Sequence, residues 1–468
     1  MGAPLQRAVT PPEALASIWR LAGLPDDALE RVTLTGQEPV FRSSFAVGTA
    51  AQSTIAAAAL AACELGHQRG APRQQVAVDM LHAAAECTGW FSLDGVVPDL
   101  WDKFSGLYRA GDGWVRVHAN FAHHRDGALR LLRLDPATAT RADAEAAMLG
   151  RKALEFEEAA GRAGLVAFAL RTFAEWDVTA QAQALAGQPL FTIERLGDAP
   201  PLPLPPLAID ARPLDGVRVL DLTRILAGPV GGRALAALGA DVMLINSPNL
   251  PNIDAIADTS RGKRSAHVDL KTQDGQAALT GLLRDAHVMV QGYRPGGLAS
   301  LGFGAEAVAA LRPGIVYVSL SAFGTMGPWA ARRGFDSLLQ TAMGFNDAEG
   351  RADGSGDGTP RAFPMQILDE AAGYLMATGA SAALWRQQRE GGSWHVRVSL
   401  AQVATWLRRL GRVEGGLQVP RPDIAPFIET TPSGFGELAG VTPSAQLSRT
   451  PAAYTRPSVR PGTSLAAW

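Results

Sequence analysis

The sequence predicts an α/β protein with a parallel β-sheet, and three observations lead to this prediction. The chain has 468 residues, which is enough for two or three domains with apolar cores. Hydrophobic residues make up 47% and charged residues 19%, the balance of an ordinary globular protein. From residue 217 onward, short apolar runs alternate with helical patterns, and this alternation is typical of βαβ units.

The first of these units lies in "GVRVLDLTRILAGPVGGRALAALGADVMLIN". Val217–Leu222 and Asp241–Ile245 are predicted strands, with a turn at "AGPVGG" and a short helix that begins over Arg233–Leu238. The alternation continues with a strand at "HVDLK", a helix at "DGQAALTGLLRDA", a strand at "HVMVQGY", a helix at "AEAVAALRP" and a strand at "GIVYVSLSAFG". Because helices join the successive strands, neighbouring strands should run parallel.

The chain divides at "APPLPLPPLAIDARP" (199–213), because the six prolines of this stretch favour an extended, semi-rigid linker. We expect an N-terminal part over 1–198, a large α/β domain over 214–410 and an extended C-terminal segment over 411–468. The N-terminal part has a different pattern. It contains an alanine-rich helix over Thr49–Gly66 and a predicted strand at "WVRVHANF".

Two stretches of the chain resemble each other at a constant offset: "AALAACELGHQRGAPRQQVAVDML" (58–81) and "TGASAALWRQQREGGSWHVRVSLA" (378–401). Both patterns predict a helix, a basic glycine-containing turn and a short strand. At this offset, Thr49 stands in the place of Asp369. The repeated scaffold therefore carries the acid in one copy only, which favours a role for Asp369 beyond the scaffold.

Charge and cysteine content limit the partners and the location that we expect. The net charge of −2 attracts neither nucleic acid nor anionic lipid, and no run approaches the roughly 20 apolar residues of a membrane span. The N-terminus has no apolar stretch of the signal-peptide kind. Cys63 and Cys87 form no disulfide framework, which favours the reducing cytoplasm.

Three histidines, His118, His123 and His124, lie close together in "HANFAHH". Their spacing suggests a metal site, but neither an H-E-x-x-H motif nor a cysteine pair accompanies them. A structural or surface role is therefore the expectation, and no metal is expected.

The glycine-rich stretch "LAGPVGGRAL" stands between a predicted strand and a predicted helix, where a phosphate-binding loop would lie. It matches neither G-x-G-x-x-G nor a Walker motif, so a plain tight turn is the alternative. NAD binding is disfavoured, because the second strand ends in "LINSPN" without the acid that a dinucleotide site needs. Arg261, Lys263 and Arg264 either form a solvated face or hold phosphate groups.

Asp369 begins the long small-residue run "LDEAAGYLMATGASAALW". As a helix N-cap, its carboxylate would accept the free N–H groups of the first turn and contribute about 1 kcal/mol. The same setting keeps the carboxylate ionised, and an ionised carboxylate on an apolar body is a competent nucleophile toward an acyl group. The residues leave both interpretations open, and the two are compatible.

The ordered set of "GVRVLDLTRILAGPVGGRALAALGADVMLIN", "RGKRSAHVDLKT", "RPGGLASLGFG", "IVYVSLSAFGTMGPWAARRGFDSLLQ" and "LDEAAGYLMATGASAAL" resembles the family III CoA-transferases over about 216–400. The resemblance implies a doubly wound large domain, a smaller α+β domain and an interlocked homodimer. "GLYRAGDGWVRVHANFAHH" resembles the family's smaller domain, which usually follows the catalytic acid but here precedes the large domain. The chain therefore resembles a rearranged or partly duplicated member.

The resemblance also implies roles for individual residues. Asp369 matches the family's catalytic aspartate, which attacks an acyl-CoA thioester, and Gly373 matches the glycine of its D-x-x-x-G stretch. The contacts to CoA match a small set of residues that follow the first and third strands: Ile225, Leu226, Ala227 and Tyr293. CoA would act as a substrate, with no tightly bound cofactor, and the partners would be an acyl-CoA and a small carboxylic acid.

Several positions depart from the family pattern. Asn246 and Ser247 replace an acid and its neighbouring arginine, and Gly292 replaces an asparagine. Arg261, Lys263 and Arg264 would then supply the charge for phosphate. A catalytically weak or inactive acyl-CoA-binding relative, or an assembly partner, is the alternative to a CoA-transferase. A 2-methylacyl-CoA racemase is disfavoured, because Phe335 occupies the position of the racemase histidine.

Overall fold

The structure is a computed structural model that describes residues 8–354 and 358–468. The described residues form two compact units. The first comprises the described residues up to 98 together with 189–321 and 367–468, and the second comprises 99–188 and the described residues of 322–366.

The helices of the described residues are α1 (Pro11–Ala22), α2 (Val47–Gln68), α3 (Met80–Glu86), α4 (Ala122–Leu131), α5 (Arg141–Leu149), α6 (Ala153–Arg162), α7 (Phe173–Asp177), α8 (Ala180–Leu185), α9 (Ala227–Ala237), α10 (Ile256–Thr259), α11 (Gln273–Leu283), α12 (Ala305–Leu311), α13 (Asp336–Ala342), α14 (Phe345–Ala352), α15 (Ile367–Glu390) and α16 (Leu400–Arg409). Short 3-10 helices cover Asp26–Arg31, Ala299–Leu301, Gly416–Gln418 and Ala425–Phe427. Within this part of the chain, no helix combines the length and the apolar character that crossing a membrane requires.

The strands of the same residues are β1 (Val32–Thr35), β2 (Val76–Asp79), β3 (Phe91–Leu93), β4 (Gly106–Arg109), β5 (Trp114–Val117), β6 (Ala167–Ala169), β7 (Phe191–Gly197), β8 (Arg218–Leu222), β9 (Asp241–Asn246), β10 (Arg264–His267), β11 (Val288–Gln291), β12 (Val316–Ser321), β13 (Ser393–Ser399), β14 (Ile428–Ser433), β15 (Gly436–Val441) and β16 (Ala445–Leu447).

The first unit is built on a sheet of seven described strands in the order β10-β9-β8-β11-β12-β13-β7. Strands β8 to β13 run parallel to their neighbours, and β7 is an antiparallel edge strand. After the edge strand β7, the parallel strands start in the middle at β8, continue outward to β10, and then return to build the other half from β11. This order is that of a doubly wound sheet, so the predicted fold class is confirmed.

Side chains of β8 show that helices cover both faces of the sheet. Leu220 and Leu222 belong to an apolar core that includes side chains of α11 and α12. Asp221 lies between them and points to the other face, because side chains alternate along a strand. On that face its partner, Lys263 Nζ, also donates to the Pro229 carbonyl oxygen of α9.

The predicted internal repeat is present at the offset seen in the sequence. Helix α2, strand β2 and helix α3 correspond to α15, β13 and α16, and both the helix starts and the strand ends differ by that offset. The caps correspond as well. Asp79 accepts the His82 N–H at the start of α3, and Ser399 accepts the Gln402 N–H at the start of α16. Helices α2 and α15 pack against each other inside the first unit.

The second unit contains a three-stranded antiparallel sheet, β4-β5-β6, packed by α4, α5 and α6 around its own apolar core. Strand β5 lies within the predicted "WVRVHANF" strand but ends at Val117. A mixture of antiparallel strands and helices is an α+β arrangement, as expected for the smaller domain.

Two local predictions need correction. "AGPVGG" is not a turn, because α9 already begins at Ala227 and includes the whole stretch. The strand predicted at "HVDLK" lies earlier, at Arg264–His267, where it pairs with β9. In both places, tertiary contacts decide the local structure and override the turn-forming and charged residues.

The stretch 199–213 contains neither helix nor strand, and each of its residues is described. The division of the chain at this stretch stays a prediction. Beyond residue 411, the chain forms the short strands β14, β15 and β16. Strand β15 pairs with β3 and β16 pairs with β2, so this segment contributes strands to two small sheets of the first unit.

Candidate active site

The candidate site lies where the two halves of the large sheet diverge. Strands β8 and β11 are neighbours, and Leu222 pairs with Gln291 at their carboxyl ends. The chain leaves β8 toward β9 on one side, and it leaves β11 toward β12 on the other. Doubly wound sheets bind their ligands in the crevice at this point. Ile225, Leu226 and Ala227 follow β8, and Tyr293 follows β11, so the structure brings these predicted residues to adjacent strand ends.

The turn after β8 has an unusual backbone. Ile225 has a φ of 78°, in the left-handed region that a β-branched side chain rarely adopts. Leu226, the residue before α9, has φ −133° and ψ −65° and makes no side-chain capping bond. Backbone strain of this kind costs of order 1–3 kcal/mol and is concentrated at functional sites. The conformation therefore marks the predicted CoA-contact turn as a functional candidate.

Helices α9 and α15 cross at two glycines next to this turn. A Cβ atom on Gly373 would lie 2.6 Å from the Ala227 carbonyl oxygen and 2.7 Å from Val230 Cγ1. A Cβ atom on Gly231 would lie 2.9 Å from the Gly373 carbonyl oxygen. All three distances are shorter than real Cβ contacts, so the two backbones touch only because neither position has a side chain. The contact places the second turn of α15 beside the start of α9.

Asp369 is the third residue of α15 and lies one turn before Gly373. Asp369 therefore lies in the first turn of the helix. It is not the N-cap that the sequence suggested, because the helix already begins at Ile367. Its side chain is 7% exposed, at the margin of the buried core. The helix macrodipole favours negative charge at this end of the helix. The structure thus brings Asp369 to the same helix crossing as Ala227.

The three predicted cations lie in internal ion pairs. Lys263 Nζ is 2.8 Å from Asp221 Oδ2, and neither side chain is exposed. Arg261 is buried, pairs with Asp258 and donates to the Val441 carbonyl oxygen at 2.8 Å. The expected contact of these two residues with CoA phosphates stays a prediction, and it would require the ion pairs to open.

Arg264 is the more accessible of the three predicted cations. Its guanidinium lies 2.7 Å from Asp241 Oδ2 and donates to the Ala467 carbonyl oxygen at 2.8 Å, and its side chain is 22% exposed. It lies at the start of β10, whereas Ile225 and Tyr293 lie at the carboxyl ends of the central strands. The structure therefore does not bring Arg264 together with the contacts at β8 and β11.

Tyr293 is half-buried and packs against the core of the large sheet. Burial raises the pKa of its hydroxyl, while the nearby Arg224 guanidinium acts in the opposite direction. Arg224 was missed in the sequence, although "DLTRILAG" places it one residue before Ile225. This half-buried cation also donates to the Pro251 carbonyl oxygen. It brings positive charge to the switch point, where an anionic ligand such as CoA would gain from it.

The histidine cluster lies in the second unit. His118 is buried and stacks on Phe335 with ring centroids 4.1 Å apart, and burial lowers its pKa to about 3. His124 Nε2 accepts a hydrogen bond from the Arg333 guanidinium at 2.9 Å. In the described residues, no group of three or more His, Cys, Asp or Glu side chains is arranged to hold a metal ion.

Comparisons with known proteins agree with the resemblance. Residues 214–411 match the family model described as CoA-transferase family III. "Probable fatty acyl-CoA transferase Rv3272" of Mycobacterium tuberculosis is 32% identical over 241 residues, which cover 47% of this chain and 60% of that protein. A succinate–glutarate CoA-transferase of Agrobacterium fabrum is 32% identical over 253 residues, which cover 48% of this chain and 62% of that protein.

A crystal structure of Rv3272 matches with 32% identity and a TM-score of 0.39, and the match covers 43% of this chain and 58% of that chain. The chain spans 60% and 62% of the length of the two curated relatives described above. The matched residues 214–411 contain β8 to β13, the strained turn and Asp369. Over this segment, the chain is similar to CoA-transferase family III.

Proposed function

We propose that the protein transfers CoA between an acyl-CoA thioester and a carboxylic acid, with Asp369 as the nucleophile. The observation that carries the proposal is the contact of α15 with α9 at Gly373, which holds Asp369 one turn from the Ala227 end of the switch-point crevice. The match of residues 214–411 to CoA-transferase family III and the names of the matched relatives support the same chemistry.

The reaction can be written with balanced bonds. An Asp369 Oδ atom attacks the thioester carbonyl carbon, the C–S bond breaks, and CoA leaves as a thiolate with an acyl-aspartyl anhydride behind it. The thiolate then attacks the Asp369 carbonyl carbon, which releases the donor acid and leaves an aspartyl-CoA thioester. The acceptor carboxylate repeats these two steps in reverse order. Each intermediate stays activated, so the free energy of the thioester is retained.

The chain's own groups support these steps. The first-turn N–H groups of α15 have no partner within the helix and point toward its N-terminal end. They can stabilise the oxyanion that forms at the attacked carbonyl. Ile225, Leu226, Ala227 and Tyr293 would contact CoA through backbone and apolar surface, and Arg224 would add a positive charge. The buried position of Asp369 limits access of water, which would hydrolyse the anhydride.

The first prediction concerns Asp369→Asn. Since asparagine cannot form the anhydride, we expect CoA exchange to fall by about 10³-fold or more. The measurement is a panel of acyl-CoA donors against carboxylate acceptors, followed by mass spectrometry. Asp274→Asn is the matched control, because Asp274 is an exposed acid in the first turn of α11. This control should keep full activity.

Trapping gives a second measurement of the same step. Hydroxylamine should convert the aspartyl thioester to a hydroxamate, and peptide mapping should find it on Asp369. Turnover of Asp369→Asn at the rate of the unmodified protein, or a hydroxamate on another residue, would refute the assignment.

A second candidate function is acyl-CoA binding without turnover. It is favoured by the internal pairing of Lys263 with Asp221 and of Arg261 with Asp258, which occupies the cations expected at the CoA phosphates. Calorimetry with CoA and several acyl-CoAs separates the candidates, because heat of binding without any exchange supports the second one. Homodimer assembly is part of the proposal and is tested by analytical ultracentrifugation. The cytoplasmic location stays a prediction.

A further inference from the structure

Glu370, the residue after Asp369, has an unusual environment for an acid. Its side chain is fully buried, and neither carboxyl oxygen has a hydrogen-bond partner among the described residues. The nearest cationic atom recorded for it is Arg233 Nη2 at 3.7 Å, which is too far for a hydrogen bond. Burying an ionised carboxylate without hydrogen bonds is very costly, whereas burying a neutral carboxyl group costs far less.

Arg233 has a closer partner than Glu370, so Glu370 shares the guanidinium charge with a second carboxylate. The Arg233 guanidinium pairs with Asp258, and the same carboxylate also pairs with Arg261. The titratable and charged groups around Glu370 come from α9, α10, the end of α3, the C-terminal segment and α15 itself: Arg233, Asp258, Glu86, Cys87, Tyr454, Asp369 and Tyr374.

Glu86 provides a direct comparison, because it is buried in the same cluster but is well solvated by protein groups. One of its oxygens accepts the Tyr374 hydroxyl proton at 2.6 Å, and the other accepts the Ser444 N–H at 2.8 Å. Two hydrogen-bond donors thus satisfy the oxygens of Glu86, whereas the described residues offer none to those of Glu370. Burial raises the pKa of Glu370 well above its usual range, Arg233 opposes this, and the carboxylates of Asp258, Glu86 and Asp369 raise it further.

We propose that Glu370 is a positioning residue that stays protonated behind Asp369, so that no second negative charge stands beside the nucleophile. The inference rests on the proposed role of Asp369. Acyl-CoA, the acceptor acid and the departing thiolate are all anionic. A charged Glu370 in a dry environment would oppose both the approach of the substrates and the departure of the thiolate.

The second prediction is the pH dependence of kcat/KM. The unmodified protein should lose activity at acid pH as Asp369 is protonated, and again at alkaline pH as Glu370 ionises. Glu370→Gln should keep the acid limb and lose the alkaline limb, because glutamine stays neutral. Glu390→Gln, at the exposed far end of the same helix, is the matched control and should keep both limbs. An alkaline limb that persists in Glu370→Gln overturns the proposal.

Infrared difference spectroscopy tests the proton without reference to activity. The full-length protein minus Glu370→Gln should show the C=O stretch of a protonated carboxylic acid at neutral pH. Absence of this band overturns the proposal. Should the glutamine variant fail to fold, Glu370→Met also removes the carboxyl group. The methionine variant then takes the place of the glutamine variant in the difference spectrum. Normal turnover by Asp369→Asn would refute the proposed nucleophile, while the infrared band would still decide whether Glu370 holds a proton.

Discussion

At the scale of single residues, Gly373 links the packing of the first unit to its proposed chemistry. The glycine follows Asp369 by one helical turn, and its missing side chain lets α15 touch the backbone of α9 at Ala227. Any side chain here would push the two helices apart. The distance between the proposed nucleophile and the CoA-contact turn would then increase, and misplacement by about 1 Å can cost 10²-fold in rate.

The third prediction is that Gly373→Ala lowers both stability and activity. The added methyl group would lie 2.6 Å from the Ala227 carbonyl oxygen, so we expect a loss of about 1–3 kcal/mol in the free energy of unfolding. The rate of CoA exchange should fall as well, because α15 carries Asp369. Urea denaturation and the exchange assay measure the two effects.

Gly281→Ala is the matched control for this substitution. Gly281 also lies inside a helix, α11, and nothing lies within 4 Å of the added Cβ position. The free energy of unfolding of this control should rise by about 0.5–1 kcal/mol, since alanine is the better helix former. Equal stability changes in the two variants would show that the helix crossing at Gly373 is not tightly packed.

At the scale of elements, the repeat explains how one scaffold supports two different helix starts. Thr49 and Asp369 both occupy the third position of their helices, α2 and α15. In the first copy the carboxylate comes from a different place in the chain, because Glu38 accepts the Thr49 N–H at 2.7 Å. Glu38 thus satisfies a free N–H of α2, whose N-cap residue makes no side-chain capping bond.

The fourth prediction concerns this acid. Glu38→Ala should lower the free energy of unfolding by about 1 kcal/mol, the usual effect of losing a capping acceptor. Thr49→Asp should also destabilise the protein, because the introduced carboxylate would lie next to Glu38. The double variant should lose less free energy of unfolding than the two single variants together, since the introduced acid can then replace the missing acceptor.

A double-mutant cycle measures this coupling, which we expect in the range of about 0.5–3 kcal/mol. Glu30→Ala, at an exposed acid that precedes β1, should leave stability nearly unchanged. Strictly additive effects of Glu38→Ala and Thr49→Asp would contradict the assignment of Glu38 to the helix start.

Part of the fold could be predicted from the sequence because short apolar runs identify buried strands directly. Strands β8 and β9 lie within a residue of their predicted positions. The start of α9 could not be predicted, because its glycines read as a turn until the contact with Gly373 is known. The ion pair of Lys263 could not be predicted for a similar reason, since its partner Asp221 is 42 residues away in the sequence.

The candidate site could be proposed from the sequence in part. Asp369 and the turn at Ile225 were named because the ordered motifs that resemble the family include both, and their roles stay predictions. The burial of Glu370 could not, because its environment is assembled from segments as distant as Glu86 and Asp258. Neighbourhoods of this kind depend on the packing of helices and not on local sequence.

At the scale of the whole molecule, buried titratable groups link stability to pH in two opposite directions. The pKa of Glu370 is raised in the folded protein. Its contribution to the free energy of unfolding is therefore fully present below the pKa of the unfolded chain, and it is lost as pH rises through the pKa of the folded protein. Buried histidines have the opposite effect. Burial is the first cause that lowers the pKa of His395 to about 4, so the neutral ring is favoured in the folded protein.

The fifth prediction follows from His395, which lies on β13 in the centre of the repeat. The unfolded chain binds a proton near the ordinary value of about 6.5, whereas the folded chain does so only near pH 4. The contribution of the neutral ring is therefore present above pH 6.5 and is lost as pH falls toward 4. Between pH 7 and pH 5, the free energy of unfolding should fall by about 2 kcal/mol through this group.

Urea denaturation of the unmodified protein and of His395→Gln at both pH values measures this contribution. The stability difference between the two proteins should shrink on acidification, because glutamine does not titrate. His267→Gln, at an exposed histidine at the end of β10, provides the control for replacing a histidine outside the core. If the His395 hydrogen bond to Ser319, 2.8 Å long, survived protonation, the difference would stay constant and the prediction would be wrong. A shrinking difference would show instead that burial of the ring in the sheet, and not this single bond, determines its protonation.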